Sequence, residues 1–316
     1  MRLHTKCLAI TVIMSAIAIF ILTKSINVLR GIPRDSDAAT CNITNMDPVE
    51  SVAAAKLLFS PNMTLEDIDK LAAEFASRVV CSPDRPRSDR EKLIIIVPYR
   101  DRKRDLLAFL LHMTPYLKIK DVQYEILVAE QHGSRPFNRA KLFNAALSEI
   151  FKANVNDRLA GGDCYAFHDV DKLPMLMTTP YKCLFRPHQL LRYVKYKNGG
   201  KIMYDTLLGG VTLFRRPHIE AMNGASNSFE GWGGEDDDLY NRVRFIHFQP
   251  RRVPYADGLF YEEDGDSHVR HKSPRRFEIL AESSPQRMEL DGLRQVTYSL
   301  NRRRDYKNFI WMYFII

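Results

Sequence analysis

Apolar residues in this chain come in short unbroken blocks separated by amphipathic stretches, and that alternation predicts a layered α/β domain. Leu93-Ile94-Ile95-Ile96-Val97, stopped by Pro98, is a continuous β-branched run of the kind that forms a strand buried on both faces. Tyr124-Glu125-Ile126-Leu127-Val128 predicts a second strand and Cys164-Tyr165-Ala166-Phe167-His168 a third. Between them, Arg104 to Leu117 and Arg139 to Phe151 carry helical spacing. Alternation of strand and helix implies a sheet with helices on both sides, whose ligands gather beyond the carboxyl ends of the strands. Polar clusters fall at those ends: Pro98-Tyr99-Arg100-Asp101-Arg102 after the first strand and Asp169-Val170-Asp171 after the third.

The pattern upstream differs. From Cys7 to Thr23 there is no charged residue; Arg2, His4 and Lys6 precede the run and Lys24 ends it. Such a run is slightly shorter than the ~20 residues that typically span a bilayer, yet within reach of a thin one. Thr23-Lys24-Ser25 makes a poor cleavage site, so the run reads as an uncleaved signal anchor rather than a removed signal peptide. Its basic flank stays cytoplasmic. The chain then divides into a tail (1–6), a transmembrane helix (7–23), a luminal stem (24–90) with one short helix from Leu65 to Val80, and a compact domain (91–316). That domain begins after the break at Pro83-Asp84-Arg85-Pro86. Asn42-Ile43-Thr44 and Asn62-Met63-Thr64 are N-glycosylation tripeptides in the stem. Beyond the membrane run, Cys41, Cys81, Cys164 and Cys183 are an even set, which an oxidising lumen would allow to form two disulfides in any of three pairings.

Composition changes this picture little. An apolar share of 45% and a charged share of 27% over 316 residues are ordinary for a globular protein. The net charge of +8 is scattered, with no aromatic-interleaved basic stripe, which disfavours nucleic acid and suits an anionic small substrate. The densest chemistry lies in Phe229-Glu230-Gly231-Trp232-Gly233-Gly234-Glu235-Asp236-Asp237-Asp238. Adjacent carboxylates repel one another unless water, a metal or sugar hydroxyls compensate them, although such a run also suits the first turn of a helix. The glycines let the backbone approach a ligand, and Trp232 offers a flat face on which a sugar ring can lie. At least one acid of Asp169-Val170-Asp171 is free to hold a divalent metal. His268 and His271 would complete a mixed oxygen and nitrogen set suited to Mn2+. Arg100, Arg102 and Arg139 are candidates for bidentate phosphate contacts.

An ordered set of landmarks follows: Val97-Pro98-Tyr99-Arg100-Asp101-Arg102, Phe137-Asn138-Arg139-Ala140-Lys141-Leu142, Asp169-Val170-Asp171, Leu208-Gly209-Gly210-Val211, Gly231-Trp232-Gly233-Gly234-Glu235-Asp236-Asp237-Asp238, and Asp291-Gly292-Leu293 with Thr297-Tyr298. Together they resemble the β-1,4-galactosyltransferase family, glycosyltransferase family 7, which includes invertebrate β-1,4-N-acetylgalactosaminyltransferases. The resemblance implies a GT-A type nucleotide-sugar-binding fold with a central mostly parallel sheet, on a single-pass type II Golgi membrane enzyme whose catalytic domain is luminal. It implies inverting, Mn2+-dependent transfer of galactose or N-acetylgalactosamine from UDP-galactose or UDP-N-acetylgalactosamine to acceptors ending in N-acetylglucosamine. Pro98, Tyr99, Arg100, Asp101, Arg102, Phe137, Asn138, Arg139, Val170, Asp171, Trp232 and His271 would meet the UDP-sugar. Gly234, Glu235, Asp236, Asp237 and Arg276 would hold the acceptor, with Asp236 the catalytic base. Asp171, His268 and His271 would hold the metal, and the cysteines would pair as Cys41 with Cys81 and Cys164 with Cys183.

Several positions depart from the vertebrate galactosyltransferase pattern. Glu230 replaces a second tryptophan, His268 replaces a methionine ligand, and Lys172 puts a positive charge beside Asp171 where an apolar residue is usual. Leu207 stands where galactose-transferring members carry tyrosine; leucine leaves room beside the donor's C2 substituent and favours UDP-N-acetylgalactosamine. His168 is similar to the branch that transfers galactose to xylose on proteoglycan cores, whereas the cysteines and Pro180-Tyr181-Lys182-Cys183 favour the N-acetylglucosamine branch. A membrane-anchored glycan-binding protein without turnover is the alternative from another class, and retention of Asp171, His271 and Asp236 argues against it.

Overall fold

The structure, a computed structural model, describes residues 41–42, 47–81, 91–120, 122–263 and 271–316. The apolar run 7–23, His268 and the side chains of Cys41, Asn42 and Cys81 lie outside what is described.

The main sheet is built from β1 (Lys92–Tyr99), β2 (Gln123–Gln131), β3 (Cys164–His168), β4 (His188–Gln189), β5 (Val211–Phe214), β6 (Arg251–Arg252), β7 (Ser299–Asp305) and β8 (Ile310–Ile315). Their spatial order is β6-β4-β5-β3-β1-β2-β8-β7. Strands β3, β1, β2 and β8 run parallel at the centre, while β5 and β7 enter antiparallel at the flanks, so the sheet is mixed about a parallel core. Helices α1 (Pro48–Leu58), α2 (Leu65–Ser77) and α3 (Lys103–Ile119) cover one face, and α4 (Arg139–Lys152) with α5 (Glu235–Phe245) the other. Successive β1 residues serve the two layers in turn: Leu93, Ile95 and Val97 pack with α3, Ile94 and Ile96 with α4. A strand wet on neither face has no use for polar alternation, hence its unbroken apolar run. The ladder continues past the expected stop at Pro98 to Tyr99, opposite Glu130. Pro98 is tolerated there because pairing to β3 has already ended at Ile96.

The stem assigned to 24–90 is corrected by the packing. Val52 and Ala55 of α1 and Ile68 and Ala72 of α2 are buried in the same core as β1 and α3. The Asp47 side chain caps α1, Pro48 occupies its first turn, and a Thr64–Asp67 capping box opens α2, which ends at Ser77 rather than Val80. Asp69 of α2 accepts the backbone N–H of Asn308 at 2.9 Å, and Glu66 pairs with Arg304 at 2.7 Å, tying the helix to the β7–β8 hairpin. The packed domain therefore reaches back to Asp47. Asn62 is exposed in the turn before α2. A short ladder sets Cys41 opposite Cys81, and Cys164 is bonded to Cys183 with Cα atoms 5.5 Å apart.

The Cys164–Cys183 bridge spans 19 residues, and in the chain-entropy picture a loop of that length stabilises the fold by ~3 kcal/mol. Replacing both cysteines by alanine should lower the unfolding free energy by about that amount in denaturant titrations, with a larger m-value because the unbridged denatured chain is more expanded.

Candidate active site

Asp169 and Asp171 follow the end of β3, and their carboxylates enter separate ion-pair chains. Asp169 Oδ1 accepts from Arg139 Nε at 2.7 Å, and Asp236 Oδ1 accepts from Arg139 Nη1 at 2.7 Å. Arg139 is delivered by the start of α4, where the Asn138 side chain caps the helix through the Lys141 N–H at 2.8 Å. Asn138 is itself buried, donating its backbone N–H to Gln131 Oε1 and its side-chain N–H to the Asn227 carbonyl. A planar guanidinium so placed serves two carboxylates at once. In the second chain Asp171 Oδ2 accepts from Arg102 Nη1 and Oδ1 from Lys172 Nζ, each at 2.7 Å. Arg102 also donates to Asp105, and Lys172 to Glu262, again at 2.7 Å.

These neighbours divide the protonation behaviour. Burial alone would raise the Asp171 carboxyl, but Lys172 and Arg102 outweigh it and hold the group well below the usual carboxylate range. Burial moves Asp236 the other way; Arg139 opposes the shift, Asp169 and Asp237 add to it, and the carboxyl ends above its ordinary value. Burial and the charge of Asp236 push Glu235 up to about 7.

The acidic run itself splits. Gly234 caps α5 in the left-handed region at φ +93°, and Glu235 reaches back to accept the Gly233 N–H at 3.0 Å. Asp238 is structural: it forms a buried pair with Arg242 at 2.7 Å and accepts from Ser283. Asp237 accepts from the Tyr204 hydroxyl at 2.9 Å. That leaves Asp236 facing Arg139, and a Cβ added to Gly209 would lie 1.9 Å from its Oδ2. Only a glycine before β5 admits this carboxylate.

Backbone bonds gather the remaining predicted residues. Gly231 donates to the Phe137 carbonyl at 2.8 Å, Trp232 to the His271 carbonyl at 2.8 Å, and Ser273 to the Trp232 carbonyl at 3.0 Å. Arg276 donates to the Ser273 carbonyl at 2.8 Å, and a Cβ on Gly233 would lie 2.8 Å from its Cδ. Trp232 is 45% exposed, open to a ligand. The Arg100 guanidinium lies 5.3 Å from the Phe137 ring centroid, Asp101 turns the chain at φ +53°, and Pro98, Tyr99 and Val170 are buried beneath. Leu207 is buried, its carbonyl held by Arg252 at 3.1 Å; the same guanidinium holds the Tyr204 and Asp205 carbonyls. His168 is packing, not chemistry. It bonds the Tyr181 hydroxyl at 2.8 Å and the Asp169 carbonyl at 2.9 Å, and burial lowers it to about 4, so it stays neutral. Asp105, Glu262 and Tyr204 were not singled out from the sequence, and Gly209 stood there as a landmark without the contact to Asp236 that it makes possible. Each acts through a partner far along the chain or, for Asp105, through an arginine one turn away.

A divalent cation would find an ionised carboxylate at Asp171 and an exposed imidazole at His271, donor types that suit Mn2+. Among the described residues no group of three His, Cys, Asp or Glu side chains is preassembled for a metal, and His268 lies outside them.

Residues 44–184 match the family model described as the N-terminal region of glycosyl transferase group 7, and residues 191–272 the model described as the N-terminal domain of galactosyltransferase. β-1,4-Galactosyltransferase 4 of Mus musculus is 32% identical over 250 residues, covering 78% of this chain and 69% of the relative. β-1,4-Galactosyltransferase 5 of Mus musculus is 36% identical over 222 residues, covering 69% of this chain and 55% of the relative. The catalytic domain of Drosophila β-1,4-galactosyltransferase 7, crystallised with xylobiose, superposes with a TM-score of 0.60 at 28% identity, covering 72% of this chain and 94% of that one. An Asp-to-Asn mutant of that enzyme, solved with manganese, UDP-Gal and xylobiose, superposes at 0.59 with 27% identity over the same shares.

Two outcomes test this geometry. Gly209→Ala should push Asp236 off Arg139, lowering kcat about 100-fold in steady-state kinetics and lowering the melting temperature as well, because the guanidinium loses a partner. Glu235 binds its proton more tightly when folded, so its contribution to stability is present below its ordinary value of 4.5 and is lost as pH rises through about 7. Glu235→Gln should therefore melt like wild type near pH 4 and above it at pH 8.

Proposed function

The chain belongs to the β-1,4-galactosyltransferase family of group 7 glycosyltransferases, and from that premise we propose that it transfers galactose or N-acetylgalactosamine from a UDP-sugar, with inversion, in β-1,4 linkage to a terminal N-acetylglucosamine. One observation carries the reading: Asp236 is held by Arg139, alongside Asp169, against a glycine that makes room for it. A carboxyl raised above its ordinary value accepts the proton of a sugar hydroxyl more readily as that oxygen attacks the anomeric carbon. Attack from the face opposite the diphosphate inverts the centre in one displacement, and no protein nucleophile takes part. Trp232 supplies the exposed ring for sugar stacking, while Arg276, Glu235 and Asp237 hold the acceptor's hydroxyls. Arg100 and Phe137, stacked after the ends of β1 and β2, form the uridine side. Asp171, His271 and His268 would hold Mn2+, which when bound supplies charge neutralisation for the leaving diphosphate.

The same reading anchors the chain in the Golgi membrane by the run 7–23 with the domain in the lumen. Among the described residues no helix is long and apolar enough to cross a membrane, and that run lies outside them. The register of Cys41 opposite Cys81 supports the second disulfide. Xylose belongs in the acceptor panel because the solved Drosophila relatives hold xylobiose. His168 lends that reading no support, since its ring is spent on Tyr181 and Asp169.

Donor choice turns on Leu207. It is buried beside the glycines that seat Asp236, where a tyrosine ring would crowd a C2 N-acetyl group. The wild-type chain should use UDP-N-acetylgalactosamine at least as well as UDP-galactose, and Leu207→Tyr should shift the kcat/KM ratio towards UDP-galactose by about tenfold or more. A strong wild-type preference for UDP-galactose, unmoved by the substitution, would overturn the assignment.

A further inference from the structure

We propose that Lys172 is a built-in competitor of the metal, its ammonium sitting on Asp171 and yielding to an incoming divalent cation by withdrawing onto Glu262. The inference rests on the reading of Asp171 as a metal ligand and adds to it the group that sets how tightly the metal is held.

Lys172 Nζ lies 2.7 Å from Asp171 Oδ1 and 2.7 Å from Glu262 Oε2, and the three side chains are only 10%, 11% and 3% exposed. Arg102 occupies the other oxygen of Asp171 at 2.7 Å. Both carboxylate oxygens therefore already carry a cation. A divalent ion entering the site must share Asp171 with two positive charges, and at such distances in a shielded site like charges repel strongly. The two resident cations are not equally able to move. Arg102 is a rigid fork already committed to Asp105 through Nε. Lys172 is a point charge on a flexible stem with a second carboxylate within reach.

Glu262 is what makes the exchange feasible. Displacing an ammonium from a buried pair ordinarily strands an uncompensated charge. Here the backbone prevents that: Leu173 pairs with Tyr261 in a short antiparallel ladder, so the residues flanking that pair, Lys172 and Glu262, stay adjacent whichever carboxylate the lysine favours. Lys172 thus serves Asp171 and Glu262 together, and the cost of dislodging it from Asp171 is subtracted from metal affinity.

Mn2+ alone is the probe, titrated into the purified full-length chain by electron paramagnetic resonance and calorimetry, without nucleotide or acceptor. Lys172→Met should bind Mn2+ about tenfold or more tighter than wild type, with a larger rise in melting temperature on adding the ion. Glu262→Gln should bind it more weakly, because the displaced ammonium then has no second carboxylate. The double variant Lys172→Met with Glu262→Leu removes both charges, a change that buried pairs commonly tolerate, and should bind as tightly as Lys172→Met. Unchanged or weaker binding in both lysine variants overturns the proposal, and so does unchanged binding in Glu262→Gln. Asp171→Asn separates the two levels. If it binds Mn2+ like wild type, the ligand reading falls; if it loses binding while the lysine variants match wild type, only the role of Lys172 falls.

Discussion

Arg139 is partly buried, its side chain 13% exposed, with a carboxylate on either side, Asp169 from the end of β3 and Asp236 from the first turn of α5. Each of the three comes from a different element, so the ion pairs exist only when strand, helix and glycine-rich turn are all in place. Removing any one of them leaves a shielded charge without its partner, so none of the three is dispensable to the others. Much of the local architecture follows from satisfying that guanidinium. Asn138 fixes the start of α4, Gln131 fixes Asn138, and Gly209 clears the volume into which Asp236 turns. The preorganisation is electrostatic: the Asp236 carboxylate is held by a cation whose other arm is occupied, so little freedom to reorient remains to it.

A second chain of charges, Asp105, Arg102, Asp171, Lys172 and Glu262, runs beside the first and uses the other acid of the Asp-Val-Asp motif. Asp169 turns to Arg139 and, through it, Asp236, and Asp171 to Arg102, Lys172 and Glu262. Opposite protonation tendencies emerge from the same motif and its partners. Asp171 is held ionised by two cations, whereas Asp236 is raised by burial and by Asp169 and Asp237 against a single shared arginine.

The parallel centre of the sheet was legible because a strand covered on both faces leaves an unbroken apolar block, as at Leu93 to Val97. Positions of Asp169, Asp171, Trp232 and the acidic run were legible because each sits at a strand end or a glycine-rich turn. Helix α1 was not legible. Val49, Val52, Ala53, Ala54, Ala55, Leu57 and Leu58 leave no single stripe, so its type is decided by packing on α3 rather than by its own periodicity. The Asp47-Pro48 start was the signal that would have found it. Partnerships such as Lys172 with Glu262, 90 residues apart, have no local signature, because two charges of opposite sign are unremarked until the fold sets them face to face. The adjacent acids looked alike in sequence, and their partners tell them apart, Arg242 behind Asp238 and Arg139 before Asp236.

The docking of α1 and α2 has a practical side. Residues 47–81 cover one side of α3 and share its core, with Ser51 bonded to His112 and the Ala72 carbonyl accepting from Thr114. A shortened chain beginning at residue 91, at the polar break that looks like a natural boundary, would leave that face to solvent. A contiguous patch of that kind invites self-association. The first cut that respects the molecule lies ahead of Asp47, and a shortened version made for crystallography or assay should carry both helices.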